Sequence, residues 1–224
     1  MLARELGIVP WQMPIMDIFW QSPTAAALRQ LMQAQVIIVT SRYALMSLEK
    51  SAIALPASAT YLAVGVATAK ALKQRGIEAI VPSQTDSEGL LSEPALAHTD
   101  GVNLVILKGE GGRTALLTNL SKRGALVTEV VLYRRVCKAV DQGMLTTFLQ
   151  QAKGVVSVAS AESLTCALTA TPTQLRRQLM TLPLVVMSQR IADFARQKGW
   201  VGDIQVATET SSSGLIAAVQ QCRL

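Results

Sequence analysis

The chain has 224 residues, enough to bury one large core or two smaller ones. Half of them are hydrophobic and only 4% aromatic, and 21 Lys and Arg against 15 Asp and Glu leave a formal charge of +6. That balance calls for an anionic partner, but with no Lys/Arg run and few rings to stack on bases it excludes nucleic acid and favours a small polyanion.

Taken in chain order, MLARELGIVPWQMPIMDIF (1–19) reads as helix, Gly7, strand. QVIIVTSRYALMSL (35–48) is a β-branched run that ends in hydroxyl residues and enters a helix. YLAVGVATAKALKQRGIEAIVPSQTDSEGLLSEPAL (61–96) gives a strand, a short loop, a helix ending at Gly76, a second strand and a cap at Asp86-Ser87-Glu88. VNLVILKGEGGRTALLTNLSKRGALVTEVVLYRRV (102–136) is strand, glycine loop, helix, Gly124, strand. GVVSVASAESLTCAL (154–168) then repeats 35–48, and PLVVMSQRIADFARQKGWVGDIQVATETSSSGLIAAV (183–219) repeats 61–96, with Gly199 in place of Gly76 and Ser211-Ser212-Ser213 as the cap. Glycine suits those helix ends because it alone adopts left-handed φ cheaply.

Alternating strands and helices with short connections predict parallel sheets covered on both faces, and the repeat predicts two similar flavodoxin- or Rossmann-like α/β lobes. The N-terminal helix–strand resembles the back half of 102–136, whose front half has no counterpart. One lobe therefore lacks a strand and its loop, about 15 residues. That lobe is discontinuous, 1–16 plus 137–224; the other is 20–131. The chain crosses between them at 14–19 and 130–136, two extended stretches that can pair as a hinge beside a ligand cleft.

The loops expected at this cleft are VTSR (39–42), GVAT (65–68), TDSEG (85–89), KGEGGR (108–113), ASAES (159–163), MSQR (187–190) and TETSSSG (208–214). All are rich in small residues, hydroxyls and backbone N–H groups that precede helices, where N–H groups and the helix dipole attract anions. The candidate binding residues are Thr40, Ser41, Arg42, Gly65, Ala67, Thr68, Ser87, Lys108, Gly109, Gly111, Gly112, Arg113, Ser160, Ser188 and Arg190. Arg190 is set equivalent to Arg42. KGEGGR fits neither fingerprint of a phosphate loop: Lys108 precedes its glycines, and Thr114 stands where the third glycine of a dinucleotide turn belongs. A nucleotide oxidoreductase or methyltransferase is disfavoured accordingly.

Cys137, Cys166 and Cys222 are scattered and odd in number, so neither disulfides nor zinc is expected, and a reducing cytoplasm is the natural setting. His98, the single histidine, lies in a polar turn and leaves little material for a catalytic triad or a metal site. No run reaches the roughly 18–20 apolar residues of a membrane span, and no signal peptide is read at the start.

The ordered set VTSR, AVGVATAKAL (63–72), DSEGLL (86–91), LVILKGEGGRTALL (104–117), RGALVTEVVLYRR (123–135) and VVMSQRIADFARQKGW (185–200) resembles the uroporphyrinogen-III synthase family over nearly the whole chain. The resemblance implies a cytoplasmic, monomeric lyase of heme and tetrapyrrole biosynthesis, without metal or organic cofactor. It implies cyclisation of hydroxymethylbilane to uroporphyrinogen III, with loss of water and inversion of ring D through a spiro intermediate. It also implies an octacarboxylate substrate, transient contact with the deaminase that forms it, and Tyr133 of the YRR crossing as proton donor. The family opens with a strand and a T-R-P-like loop that this chain does not show. A non-enzymatic two-lobed binder of a small polyanion is the alternative reading.

Overall fold

The computed structural model describes residues 7–84, 86–111, 114–151, 154–209 and 211–222. The chain divides into a continuous unit, Ile18–Arg135, and a discontinuous one, Met1–Asp17 with Val136–Leu224.

In the continuous unit the order is β1 (Met16–Trp20, begun in the other unit), α1 (Ala25–Met32), β2 (Val36–Val39), α2 (Arg42–Lys50), β3 (Thr60–Ala63), α3 (Val66–Lys73), α4 (Ser87–Leu91), a 3₁₀ turn at Pro94–Leu96, β4 (Asn103–Gly109), α5 (Ala115–Lys122) and β5 (Leu126–Cys137). The strands form one sheet, β1-β5-β4-β2-β3. Ile38 faces Ile106 and Leu62 in parallel register. Lys138 N–H donates to the Ile15 carbonyl and Gln21 N–H to that of Leu132, so β1 runs antiparallel to β5.

Period-2 geometry explains why β2 is buried at all four residues. Ile37, Val39, Val105 and Leu107 pack on one face with Leu31, Leu45, Leu48 and Leu72 of α1–α3. Val36, Ile38, Leu104 and Ile106 pack on the other with Leu90, Leu116 and Leu120 of α4 and α5. Each such side chain contributes about 1.5–3 kcal/mol by leaving water, which makes this sandwich the anchor of the unit.

The discontinuous unit contains α6 (Gln142–Leu149), β6 (Val156–Val158), α7 (Ala161–Ala170), α8 (Thr173–Leu179), β7 (Leu184–Val186), α9 (Gln189–Gln197), β8 (Ile204–Val206) and α10 (Ser212–Gln221). Its sheet is parallel, β6-β7-β8. One face carries a core of Leu145, Phe148, Leu164, Leu184, Val186, Ile191 and Trp200, whose indole N–H donates to the Leu182 carbonyl at 2.9 Å. The other face carries a smaller core of Val185, Ala207 and Ala218, with Val155, Leu215 and Val219 packed against it. Gly76 and Gly199 follow α3 and α9 at φ of 75° and 86°, the left-handed conformation expected of them.

Three sequence expectations change. Residues 8–15, expected as a strand, lie in none; the first strand begins at Met16. Cys137 and Cys166 form a disulfide, whereas Cys222 keeps its thiol. Spacing gave no hint of the bond because the topology makes it, bringing the end of β5 to the buried side of α7. Arg190 is not the counterpart of Arg42: it stands on α9, after the second strand of its sheet, whereas Arg42 opens α2 after β2, which β6 matches. No helix among the described residues is long and apolar enough to cross a membrane.

Candidate functional site: helix-cap loops in each unit

In the continuous unit the strands β2, β3 and β4 each end in a loop that starts a helix. Ser41 caps α2, its hydroxyl accepting from Tyr43 N–H at 3.2 Å. Beside it, Thr40 donates its hydroxyl to the Leu107 carbonyl at 3.0 Å and ties this loop to β4. Gly65 caps α3 with extended backbone and no side-chain acceptor. The N–H groups of the first turn of α3 are therefore not met by a capping side chain, the condition under which a helix start takes an anion. Ala67 is exposed at that turn and Thr68 is buried. Ser87 opens α4, where Asp86 accepts from Gly89 N–H at 2.8 Å.

The glycine loop after β4 is built around Tyr133. Glu110 N–H donates to the Tyr133 carbonyl at 2.7 Å, and the register between β4 and β5 shifts at Lys108/Gly109. A Cβ on Gly109 would lie 2.5 Å from the Tyr133 Cζ, so only glycine lets the ring sit there. Tyr133 is 4% exposed and belongs to the core, its ring 5.7 Å from that of Tyr43. Gly111 turns the loop at φ 75°; Gly112 and Arg113 lie outside the described residues.

Lys108 is not a free cation. Its ammonium pairs with Glu129 Oε1 at 2.9 Å, and both side chains are largely covered. Sequence reasoning missed Glu129, although Glu129 stands opposite Ile106, two residues along β4 from Lys108 and on the same face of the sheet. It also missed Tyr43, which joins Tyr133 to Trp20. The Arg42 guanidinium lies 5.5 Å from the Tyr43 ring and that of Arg135 lies 5.9 Å from Tyr133. This aromatic group carries positive charge at its rim, which suits acidic side chains over an apolar ring system.

The discontinuous unit repeats the caps. Ser160 starts α7 and accepts from Ser163 N–H at 3.0 Å, with the two hydroxyls 2.8 Å apart. Ser188 starts α9 with no side-chain cap bond, and its φ and ψ of −162° and 157° match the −161° and 168° of Gly65. Arg190 is exposed in the first turn of α9. His98 is exposed in its turn. Among the described residues no three His, Cys, Asp or Glu side chains gather as metal ligands. A cavity of about 600 Å³ beside Tyr61 in the continuous unit and one of about 780 Å³ beside Phe148 in the other are lined by none of the candidate binding residues, although Ser212 of the 208–214 loop lines the second.

Parallel α/β units with helices opening beyond their strand ends define the open-sheet α/β class, whose ligands bind at those ends. The family model described as uroporphyrinogen-III synthase HemD matches residues 1–217. The uroporphyrinogen-III synthases of Salmonella typhimurium and Escherichia coli are each 32% identical to the chain over 97% of its length and 92% of theirs. The uroporphyrinogen-III synthetase structure from Helicobacter pylori covers 96% of this chain and 95% of its own at TM-score 0.69 and 14% identity. A mutant Thermus thermophilus synthase covers 99% and 93% at TM-score 0.57 and 22% identity. The chain belongs to the uroporphyrinogen-III synthase family, whose enzymes cyclise hydroxymethylbilane to uroporphyrinogen III in heme biosynthesis.

Proposed function

We propose that the chain performs this cyclisation by gripping the carboxylates of the linear tetrapyrrole with backbone N–H groups at its helix starts. The observation that carries the reading is the matched pair Gly65 and Ser188, equivalent positions that both open a helix without a side-chain cap. Rigid backbone donors hold carboxylates at small entropic cost, and eight carboxylates need many such points.

The chemistry needs water to leave the hydroxymethyl carbon, giving an azafulvene. The substituted carbon of ring D attacks it, and the spiro intermediate breaks and recloses with ring D turned over. Closure without catalysis takes the free position and yields isomer I, so the protein's contribution is orientation, worth several kcal/mol. Tyr133 assists by protonating the leaving hydroxyl; a phenol is a weak acid near neutrality and supplies a modest share. Thr40, Ser41, Thr68, Ser87 and Ser160 position carboxylates or water. Arg42, Arg113 and Arg190 steer the acidic substrate, and Gly109, Gly111 and Gly112 let backbone N–H groups approach it. Lys108 acts through its pair with Glu129. The enzyme works in the cytoplasm as a monomer without cofactor, and receives the short-lived bilane through transient contact with its deaminase.

The test couples porphobilinogen and the deaminase to this protein, then oxidises and separates the uroporphyrins. A type III majority is expected. Type I alone, from protein whose melting shows it folded, overturns the reading. The polyanion-binder alternative is not favoured, since the relatives matched over 97% of the chain and 92% of their own length are uroporphyrinogen-III synthases.

A further inference from the structure

We propose that the Cys137–Cys166 disulfide is a thiol-exchange site, at which a small anionic thiol attacks the Cys137 sulfur, displaces Cys166 and releases α7 from the end of β5. This chemistry is separate from the cyclisation, and it is read by mass and by amide exchange, not by turnover.

The two sulfurs belong to residues in unlike surroundings. Cys137 is exposed at the last position of β5, whereas Cys166 is 3% exposed on the buried side of α7. A thiolate in solution meets Cys137 first, and the sulfur it displaces is the buried one. The bond from the incoming sulfur to Cys137 forms and the Cys137–Cys166 bond breaks. Its electron pair stays on Cys166, which takes a proton from water. A second molecule of the same thiol attacks the outer sulfur of the mixed disulfide, forming the symmetrical small disulfide and freeing the Cys137 thiolate. Two thiols are thus oxidised for the one disulfide reduced.

Charge selects the thiol. The run RRVCK places Arg134, Arg135 and Lys138 within three residues of Cys137, and all three are exposed. No acidic residue lies between Glu129 and Asp141. Asp17 of β1 and Glu162 in the first turn of α7 already engage partners. Cations near a disulfide draw an anionic nucleophile and stabilise the thiolate left behind, so a thiol that carries a carboxylate is preferred to a cationic one.

The bond also holds something in place. Lys138 N–H on the Ile15 carbonyl and Gln21 N–H on that of Leu132 set the register of β1 against β5, and in that register Met16 stands opposite Cys137. Helix α7 spans this pair: Cys166 is bonded to Cys137, and the Ser163 hydroxyl donates to the Met16 sulfur at 3.5 Å. Residues three apart share one face of a helix, so a single face of α7 is tied to both strands. Opening the disulfide removes the covalent one of these two ties and leaves a weak one.

The test treats the air-oxidised whole chain with mercaptopropionate or with mercaptoethylamine, quenches early with N-ethylmaleimide in denaturant, and maps the peptides by mass. The expected result is a mercaptopropionate adduct on Cys137 and maleimide on Cys166, with Cys222 alkylated throughout. Compared per thiolate, mercaptopropionate should react about threefold or more faster at low salt, and Lys138→Ala or high salt should narrow the difference. Amide exchange in α7 should rise about tenfold on opening, with that in β2 to β4 unchanged. An adduct on Cys166, or equally on both, overturns the proposal, as does reaction only at the rate of global unfolding. Faster attack by mercaptoethylamine, unaltered exchange in α7, or failure of the Cys137–Cys166 bond to form in air overturns it as well.

Discussion

Gly109 and Tyr133 constrain each other, since the phenol occupies the volume that any side chain at 109 would need. Gly109→Ala is expected to push the ring off the core and cost about 1–3 kcal/mol, read as a lower denaturant midpoint. Tyr133→Phe separates packing from chemistry, because it keeps the ring and deletes the hydroxyl. The expected result is a kcat about tenfold lower with KM and unfolding midpoint nearly unchanged. An equal loss of stability and activity would assign Tyr133 to the core alone. Tyr61 gives a pH signature. Its hydroxyl donates to the Pro56 carbonyl at 2.7 Å, and burial pushes its pKa up to about 12. The folded state then holds a proton that the unfolded chain releases near pH 10, so this contribution is intact below pH 10 and is lost as pH rises toward 12. Chemical denaturation at pH 9 and pH 12 should differ by roughly 2–3 kcal/mol from this group, and Tyr61→Phe should remove that difference.

At the scale of elements, the caps carry both stability and the proposed grip. Ser160→Ala deletes the acceptor for Ser163 N–H and is expected to cost about 1 kcal/mol by thermal melting. If the Ser160 hydroxyl also meets a carboxylate, KM in the coupled assay rises as well. Caps, glycine helix ends and buried strands were readable because each depends on residues close in sequence. The pairing of Lys108 with Glu129 and of Cys137 with Cys166 was not, since both are set by which strand or helix lies next to which. Tyr133 was found through its motif, yet its burial against Gly109 depends on the register shift between β4 and β5, which no periodicity encodes.

For the whole molecule, the disulfide joins the last residue of β5 to α7, 29 residues on. Reduction should lower the stability of the discontinuous unit by about 3–4 kcal/mol through the freedom returned to its unfolded chain. Amide exchange with and without reductant checks this, with faster opening expected in α6 to α10 and little change in β2 to β4.

The antiparallel pairing of β1 with β5 has a kinetic side. Unit Ile18–Arg135 is one unbroken stretch, whereas the other unit is assembled from pieces at either end of it. Once the inserted stretch has folded, strands one ladder spacing apart hold its two ends together. The loop-closure entropy of bringing residues 7–17 to 136–222 has by then already been lost. The continuous unit should thus fold first, and the discontinuous unit should form as though its two pieces were joined by a short turn.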